Sequence, residues 1–97
     1  MARYDVFRLG DGLVVDVQTN YLSDIVSRLV VPLEPLQNTA RRTRRLNPIL
    51  QFDGGSYVLL PQQMASVSIR ILTHRLGSIA EYHDDIMDAI DVLLTGF

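Results

Sequence analysis

The stretch ILQFDGGSYVLL, residues 49–60, decides the fold class of this chain. Apolar, β-branched and aromatic side chains on both sides of Asp53-Gly54-Gly55-Ser56 are typical of two β-strands joined by a tight turn. We therefore predict an antiparallel hairpin with strands over Ile49–Phe52 and Tyr57–Leu60. Pro61-Gln62-Gln63 ends the second strand, because proline cannot donate a backbone hydrogen bond to a neighbour.

A second hairpin is predicted near the start of the chain. Tyr4–Leu9 and Leu13–Gln18 both read as strands, and Gly10-Asp11-Gly12 supplies the turn between them. Asp16 alternates with Val15 and Val17, which predicts that one face of this hairpin is buried and the other is wet.

The middle of the chain is predicted to alternate between strand and loop. Leu29–Leu33 reads as a short strand whose Pro32 should place it at a sheet edge or end it there. Thr19–Ser27 is too irregular for a strand, and Glu34–Leu46 reads as a loop. Ala65–Leu72 alternates as a strand with one wet face. Its apolar face is predicted to carry Val67, Ile69 and Ile71.

The end of the chain changes to the period of an amphipathic helix. Ser78 and Glu81 have the spacing of a capping box at the start, and Gly96 is a plausible stop. The predicted inward side chains are Ile79, Tyr82, Ile86, Ala89 or Ile90, Leu93 and Phe97. The predicted acidic, solvent-facing side chains are Glu81, Asp84, Asp85, Asp88 and Asp91.

Strands first and one helix last predict a mainly β fold, a small antiparallel barrel or curled sheet with the helix packed on it. With 97 residues the chain is expected to form a single domain over residues 1–97. Such a short chain buries a modest core, so a dimer interface would help to stabilise it. The net charge of −2 gives no general attraction to nucleic acid.

Composition also limits the chemistry and the compartment. The absence of cysteine excludes disulfides and zinc–thiolate sites and fits a reducing cytoplasm. No signal peptide or membrane-length apolar run is apparent, so we expect a soluble cytoplasmic protein. His74 and His83 are the only histidines and form no recognisable catalytic motif, so binding without cofactor or metal is favoured over catalysis.

Two other features leave alternatives open. Arg41-Arg42-Thr43-Arg44-Arg45 could clamp phosphates, or it could be a solvated loop that offsets the acidic helix. At the end of the chain, Phe97 could return to the core or form an exposed apolar tip that enters a partner's pocket.

Asp88 and Asp91 oppose the helix dipole, which suggests that they serve a partner.

Four segments in this order, over nearly the whole chain, resemble the CcdB toxins. They are Val14-Val15-Asp16-Val17-Gln18, Leu29-Val30-Val31-Pro32-Leu33, Met64-Ala65-Ser66-Val67, and the closing helix that ends in Gly96 and one large apolar residue. The resemblance implies an SH3-like antiparallel barrel with a small extra sheet and a C-terminal helix, assembled as a homodimer. It further implies a non-enzymatic plasmid-maintenance toxin that binds the DNA gyrase A subunit and traps the cleaved gyrase–DNA complex.

The resemblance also implies partners and site residues. A cognate CcdA-like antitoxin would order a disordered tail on the toxin, and DNA would be contacted only through the autoregulatory toxin–antitoxin complex. The implied gyrase-binding residues are Tyr21, Leu22, Asp91, Thr95, Gly96 and Phe97. This chain ends in Thr-Gly-Phe where plasmid-borne members end in Trp-Gly-Ile, and it has Asp91 where they carry Asn.

Two rival functions follow from the same reading. Other toxins with this barrel cut messenger RNA, so the chain could be an endoribonuclease in which Arg41–Arg45 holds the backbone and His74 or His83 acts as an acid. It could also be a homologue that binds antitoxin and poisons nothing.

Overall fold

The computed structural model describes residues 2–22 and 24–96, and within them the chain forms seven strands and one α-helix. The strands are β1 (Asp5–Leu9), β2 (Gly12–Asp16), β3 (Ser27–Pro35), β4 (Ile49–Phe52), β5 (Gly55–Leu59), β6 (Ala65–Ser68) and β7 (Arg75–Ser78). The helix is α1 (His83–Thr95).

The strands form one antiparallel sheet in the order β4-β5-β3-β2-β1-β7, and β6 pairs with β3 beside this path. The sheet curls into a half-barrel, and α1 covers one of its faces. This architecture confirms the predicted fold class and is consistent with an SH3-like barrel.

Both predicted hairpins are present. β4 and β5 pair from Ile49↔Val58 to Phe52↔Gly55, around a two-residue turn. Asp53 and Gly54 in this turn both have positive φ, 49° and 79°, which is the geometry that tight hairpins require and that Asp-Gly supplies readily. β1 and β2 form the other hairpin.

Pro32 does not place its strand at an edge, so that prediction was wrong. β3 is the longest strand and lies between β2 on one side and both β5 and β6 on the other. The carbonyl of Pro32 accepts from the N–H of Leu60 at 3.0 Å. The proline nitrogen therefore faces the point where β3 changes partner from β6 to β5, and there the missing N–H costs no ladder hydrogen bond.

The strand predicted over Ala65–Leu72 is only half present. β6 ends at Ser68, and Ile69–Ile71 forms a 3₁₀ turn in which the Ser68 hydroxyl accepts from Arg70 N–H at 3.2 Å. Ile69 and Ile71 are consequently exposed instead of lying on a buried face. β7 was missed, because Arg75-Leu76-Gly77-Ser78 is too short and too polar to give a strand pattern.

The C-terminal helix is confirmed, but its start differs from the prediction. Ser78 accepts from Ala80 N–H at 3.2 Å instead of forming a capping box with Glu81, and a 3₁₀ turn precedes α1. Gly96 ends the helix in the left-handed conformation, with φ of 79°, as expected. Leu93, predicted to face inward, is 37% exposed. No helix in the described ranges is long and apolar enough to cross a membrane.

Both faces of the central strands are covered, so the prediction of a wet face at Asp16 was wrong. The main core lies under α1, and a smaller cluster covers the opposite face. The main core contains Tyr4, Val6, Leu13, Val15, Val17, Val31, Leu33, Leu50, Leu59, Ile79, Ile86 and Ala89. The smaller cluster contains Phe7, Val14, Val30 and Leu72.

Side chains connect the two end strands of the curled sheet. A Cβ built on Gly77 in β7 would lie 3.0 Å from Cε1 of Phe52 in β4, so the ring packs directly on the glycine. The Tyr82 hydroxyl accepts from the N–H of Gln51 at 3.0 Å. This second contact occupies a backbone donor on an end strand, which would otherwise be open to pairing with another chain.

We predict that Gly77→Ala lowers the free energy of unfolding by about 1–2 kcal/mol, because the added methyl must displace the Phe52 ring. Gly12→Ala is the matched control, since its Cβ would approach no atom closer than 3.9 Å. Urea unfolding monitored by circular dichroism measures both. Equal effects of the two substitutions would contradict the proposed contact.

Candidate partner-binding surface

A buried ion pair lies at the end of β2. Asp16 Oδ2 accepts from Arg28 Nε at 2.7 Å, and the two residues are 0% and 1% exposed. Asp16 Oδ1 also accepts from the N–H of Gln18 at 3.0 Å, and Arg28 donates to the Gln18 carbonyl at 3.1 Å. The pair therefore links β2 to β3 and fixes Gln18, at the start of the segment between them.

The Gln18 side chain makes three hydrogen bonds to the backbone of this segment and of the start of β3. Its Oε1 accepts from Leu29 N–H at 3.1 Å, and its Nε2 donates to the carbonyls of Leu22 and Ser27, both at 3.2 Å. A backbone without regular secondary structure is thus given fixed partners.

The segment held in this way carries an exposed apolar surface. Asn20–Leu22 forms a 3₁₀ turn, and within it Tyr21 is 97% exposed and Leu22 is 45% exposed. A tyrosine projecting almost wholly into solvent from an anchored turn is typical of a residue that contacts another protein.

Arg3 connects this turn to α1. Its backbone N–H donates to Asn20 Oδ1 at 2.9 Å, and its guanidinium donates to the Val17 carbonyl at 3.2 Å and to Met87 Sδ at 3.0 Å. A shallow cavity of about 340 Å³ lies beside it, lined by Arg3, Thr19, Asn20 and Tyr21. No sequence pattern indicates this role for Arg3.

The helix end carries the other site residues implied by the resemblance. Asp91, Thr95 and Gly96 are all exposed, and the Thr95 hydroxyl donates to the Asp91 carbonyl at 2.7 Å. No basic residue lies in the last turn of α1, so the Asp91 carboxylate is unfavourably placed near the negative end of the helix dipole. Phe97 lies outside the described residues. The prediction that it either returns to the core or forms an exposed tip is therefore not tested.

The two groups of site residues lie on elements joined through Arg3. Met87 contacts Arg3, and Asp91 follows Met87 by four residues, which puts both on one side of α1. Through Arg3, the turn that carries Tyr21 is therefore placed next to the side of α1 that carries Met87 and Asp91. No hydrogen bond joins the two groups within the described residues.

A second exposed apolar group lies where β3 begins and β6 ends. Val26 accepts through its carbonyl from Ile69 N–H at 2.9 Å, and Ser27 pairs with Ser68. Side chains next to both strands remain in solvent here, with Val26, just before β3, 73% exposed and Ile71, in the 3₁₀ turn after β6, 46% exposed. Exposed apolar side chains gathered in one place mark a surface suited to another protein.

The histidines do not form a catalytic pair. His83 Nδ1 hydrogen-bonds to the hydroxyl of Tyr4, whose pKa is raised, chiefly by burial. His74 is exposed, and its carbonyl accepts from Arg8 N–H at 3.0 Å. Neither histidine makes a hydrogen bond to an arginine of residues 41–45 among the described residues.

The loop that contains residues 41–45 is anchored by a buried amide. Asn47 is 3% exposed; its Oδ1 accepts from Thr43 N–H, and its Nδ2 donates to Leu59 O and Gln62 Oε1, all at 3.0 Å. Arg45 pairs with Asp88 of α1 at 3.0 Å, which raises the arginine pKa. This contact matches the prediction that the loop offsets part of the acidic helix.

Comparisons with known proteins agree with this architecture. A family model described as CcdB protein matches residues 3–96, nearly the whole chain. An endoribonuclease from a mycobacterial species superposes with a TM-score of 0.80 at 18% identity, covering 97% of this chain and 90% of the other. A second mycobacterial endoribonuclease, solved in complex with its cognate antitoxin, gives 0.78 at 16% identity, with coverages of 97% and 94%. At these identities the two solved structures establish likeness of fold alone.

We predict that Asp16→Asn lowers the free energy of unfolding by about 3 kcal/mol or more, because Arg28 is left charged and buried without a counterion. Asp88→Asn breaks the exposed pair with Arg45 and should cost less than about 1 kcal/mol. Urea unfolding measures both variants. Limited proteolysis should also cut Asp16→Asn within residues 19–26. Similar stabilities of the two variants would argue against the anchoring role.

Proposed function

Because the chain belongs to the CcdB family, we propose that it is the toxin of a type II toxin–antitoxin pair and inhibits DNA gyrase by binding it. The observation that carries this proposal is the exposed Tyr21, 97% accessible on a turn fixed by a buried ion pair. Binding requires such a rigid apolar anchor and needs no acid–base pair.

The proposed contact surface combines the turn and the helix end. Tyr21 and Leu22 supply the apolar anchors, and Asp91, Thr95 and Gly96 form its rim. Aromatic anchors surrounded by polar groups are the usual composition of a strong binding site. Phe97, which lies outside the described residues, is proposed as a further contact residue on the family resemblance alone.

In this proposal, poisoning results from a difference in the toxin's affinity for two states of gyrase. A symmetric dimer binds two symmetric A subunits with the same surface used twice. If it binds the open, DNA-cleaved gate more tightly than the closed gate, it shifts the population by that difference in affinity. A preference of about 3 kcal/mol favours the cleaved state by roughly two orders of magnitude, and gyrase itself cuts the DNA.

We assign the homodimer contact to the second exposed apolar group. Ile25, Val26, Ile69 and Ile71 are at least 37% exposed and are brought together by the pairing of β3 with β6. A second copy of this chain is the proposed occupant, because a small domain with a modest core gains most from covering such a surface.

A cognate antitoxin is the second proposed partner. One of the mycobacterial structures that share this fold was solved with its own antitoxin. An antitoxin tail that orders on the toxin would gain contact area at an entropic cost, and it would carry any DNA contact of the pair.

We predict that the purified protein, incubated with gyrase, ATP and supercoiled plasmid, yields linear DNA after detergent treatment. Tyr21→Ala should reduce this cleavage about tenfold or more, because a central aromatic anchor is lost. Leu36→Ala removes an exposed apolar side chain elsewhere and is the matched control, expected within about twofold of wild type.

Two outcomes would oppose the gyrase proposal. Supercoiling that proceeds untouched at micromolar protein would remove gyrase as the target. Cleavage of RNA by the same preparation in EDTA would instead identify an endoribonuclease.

We predict that the protein is a dimer by multi-angle light scattering and that Val26→Asp makes it monomeric, because the new charge would be buried between copies. Leu76→Asp is the control, since Leu76 is also exposed, at 40%, but lies on β7, which pairs with β1 and not with β3 or β6. A wild-type protein that stays monomeric at about 100 μM would contradict the assignment.

A further inference from the structure

The charge of this protein is distributed very unevenly. Residues 41–45 contain four of its nine arginines and no acid, and the remaining chain has five arginines against eleven carboxylates. A concentrated positive patch on an otherwise acidic surface attracts an anionic partner at that patch.

The loop presents these arginines in a fixed arrangement. The buried side chain of Asn47 makes three hydrogen bonds, and its backbone N–H donates to the Thr43 carbonyl at 2.7 Å. Arg42 also donates to the Asn47 carbonyl at 3.3 Å. A preorganised loop loses less conformational entropy when it binds a partner.

Most of the positive charge of this loop has no counterion among the described residues. Of the four arginines, Arg45 alone pairs with a described carboxylate, that of Asp88. Arg41 and Arg44 are exposed and make no hydrogen bond or ion pair with any described residue. The guanidiniums of Arg41 and Arg44 therefore remain available to carboxylates or phosphates. So do most of the N–H donors of Arg42, which makes one hydrogen bond.

The surroundings favour a peptide over a nucleic acid. The Arg45–Asp88 contact places the loop beside the exposed acidic side of α1, which carries Asp84, Asp85, Asp88 and Asp91. A phosphate backbone repeats its charge at every nucleotide and would be repelled there. The loop also has no aromatic side chain on which a base could stack. A peptide can present acids to the arginines and neutral or basic residues to the helix.

We propose that Arg41, Arg42 and Arg44 form the docking site for an acidic peptide segment, contributed by the cognate antitoxin. This assignment rests on the proposed function as a toxin and names the chemistry of its inhibitor. It extends the antitoxin contact to a loop that lies outside the proposed gyrase-binding surface.

The test uses the full-length protein and a fluorescein-labelled peptide of about 12 residues, in which Glu alternates with Ser in the first half and Ser alternates with Gln in the second, in about 20 mM salt. Fluorescence anisotropy should detect binding that a peptide with Gln in place of Glu does not give. Arg41→Gln/Arg44→Gln should weaken binding about fivefold to tenfold, as expected for the loss of two exposed ion pairs.

Arg8→Gln/Arg70→Gln is the matched control, because both residues are exposed arginines outside the loop. It removes the same net charge and should change affinity less than about twofold. Equal losses in the two double variants, or tighter binding of an oligouridylate of the same length, would overturn the proposal. Gyrase cleavage is measured separately on the wild-type protein, so failure of the toxin function is recognised independently of failure at this loop.

Discussion

The ion pair of Asp16 with Arg28 is the interaction on which the surface of this protein depends. Burying two charges is costly, and a pair in the interior often contributes little net stability compared with apolar residues of similar size. Here it does something that apolar residues would not do. It joins the end of β2 to the start of β3 and directs two hydrogen bonds to Gln18, at the start of the irregular segment that carries the exposed Tyr21. We infer that specificity of conformation, more than stability, explains the pair.

Tyr4 fixes the start of α1 in a comparable way, through hydrogen bonds. It is a buried, non-glycine residue with a φ of 72°, a conformation that costs about 1–2 kcal/mol. Its N–H donates to the Asp16 carbonyl, its carbonyl accepts from Ile79 N–H at 3.0 Å, and its hydroxyl contacts His83. One strained residue thus joins β2, the segment before α1 and the first residue of α1. The orientation of the helix end follows from these contacts.

The sequence predicted the elements that rest on local patterns, including the Asp53-Gly54 hairpin and the helix stop at Gly96. It failed where tertiary context decides. Asp16 was expected in solvent because alternation reveals which side a residue faces and cannot reveal that both sides are covered. Pro32 was expected at an edge because the change of partner strand opposite it is not encoded locally. The site residues Tyr21 and Leu22 came from a family resemblance, since an exposed apolar turn has no periodic signal.

The two proposed surfaces meet on α1, and this has a consequence for how an inhibitor could act. Asp88 contacts the arginine loop, and Asp91 belongs to the proposed gyrase surface. They are three positions apart on the helix, a rise of about 4.5 Å. An extended peptide spans about 3.3 Å per residue, so one anchored on the arginines reaches the gyrase surface within a few residues. An antitoxin held by charge at the loop would therefore exclude gyrase by occupancy, without any change in the toxin's conformation.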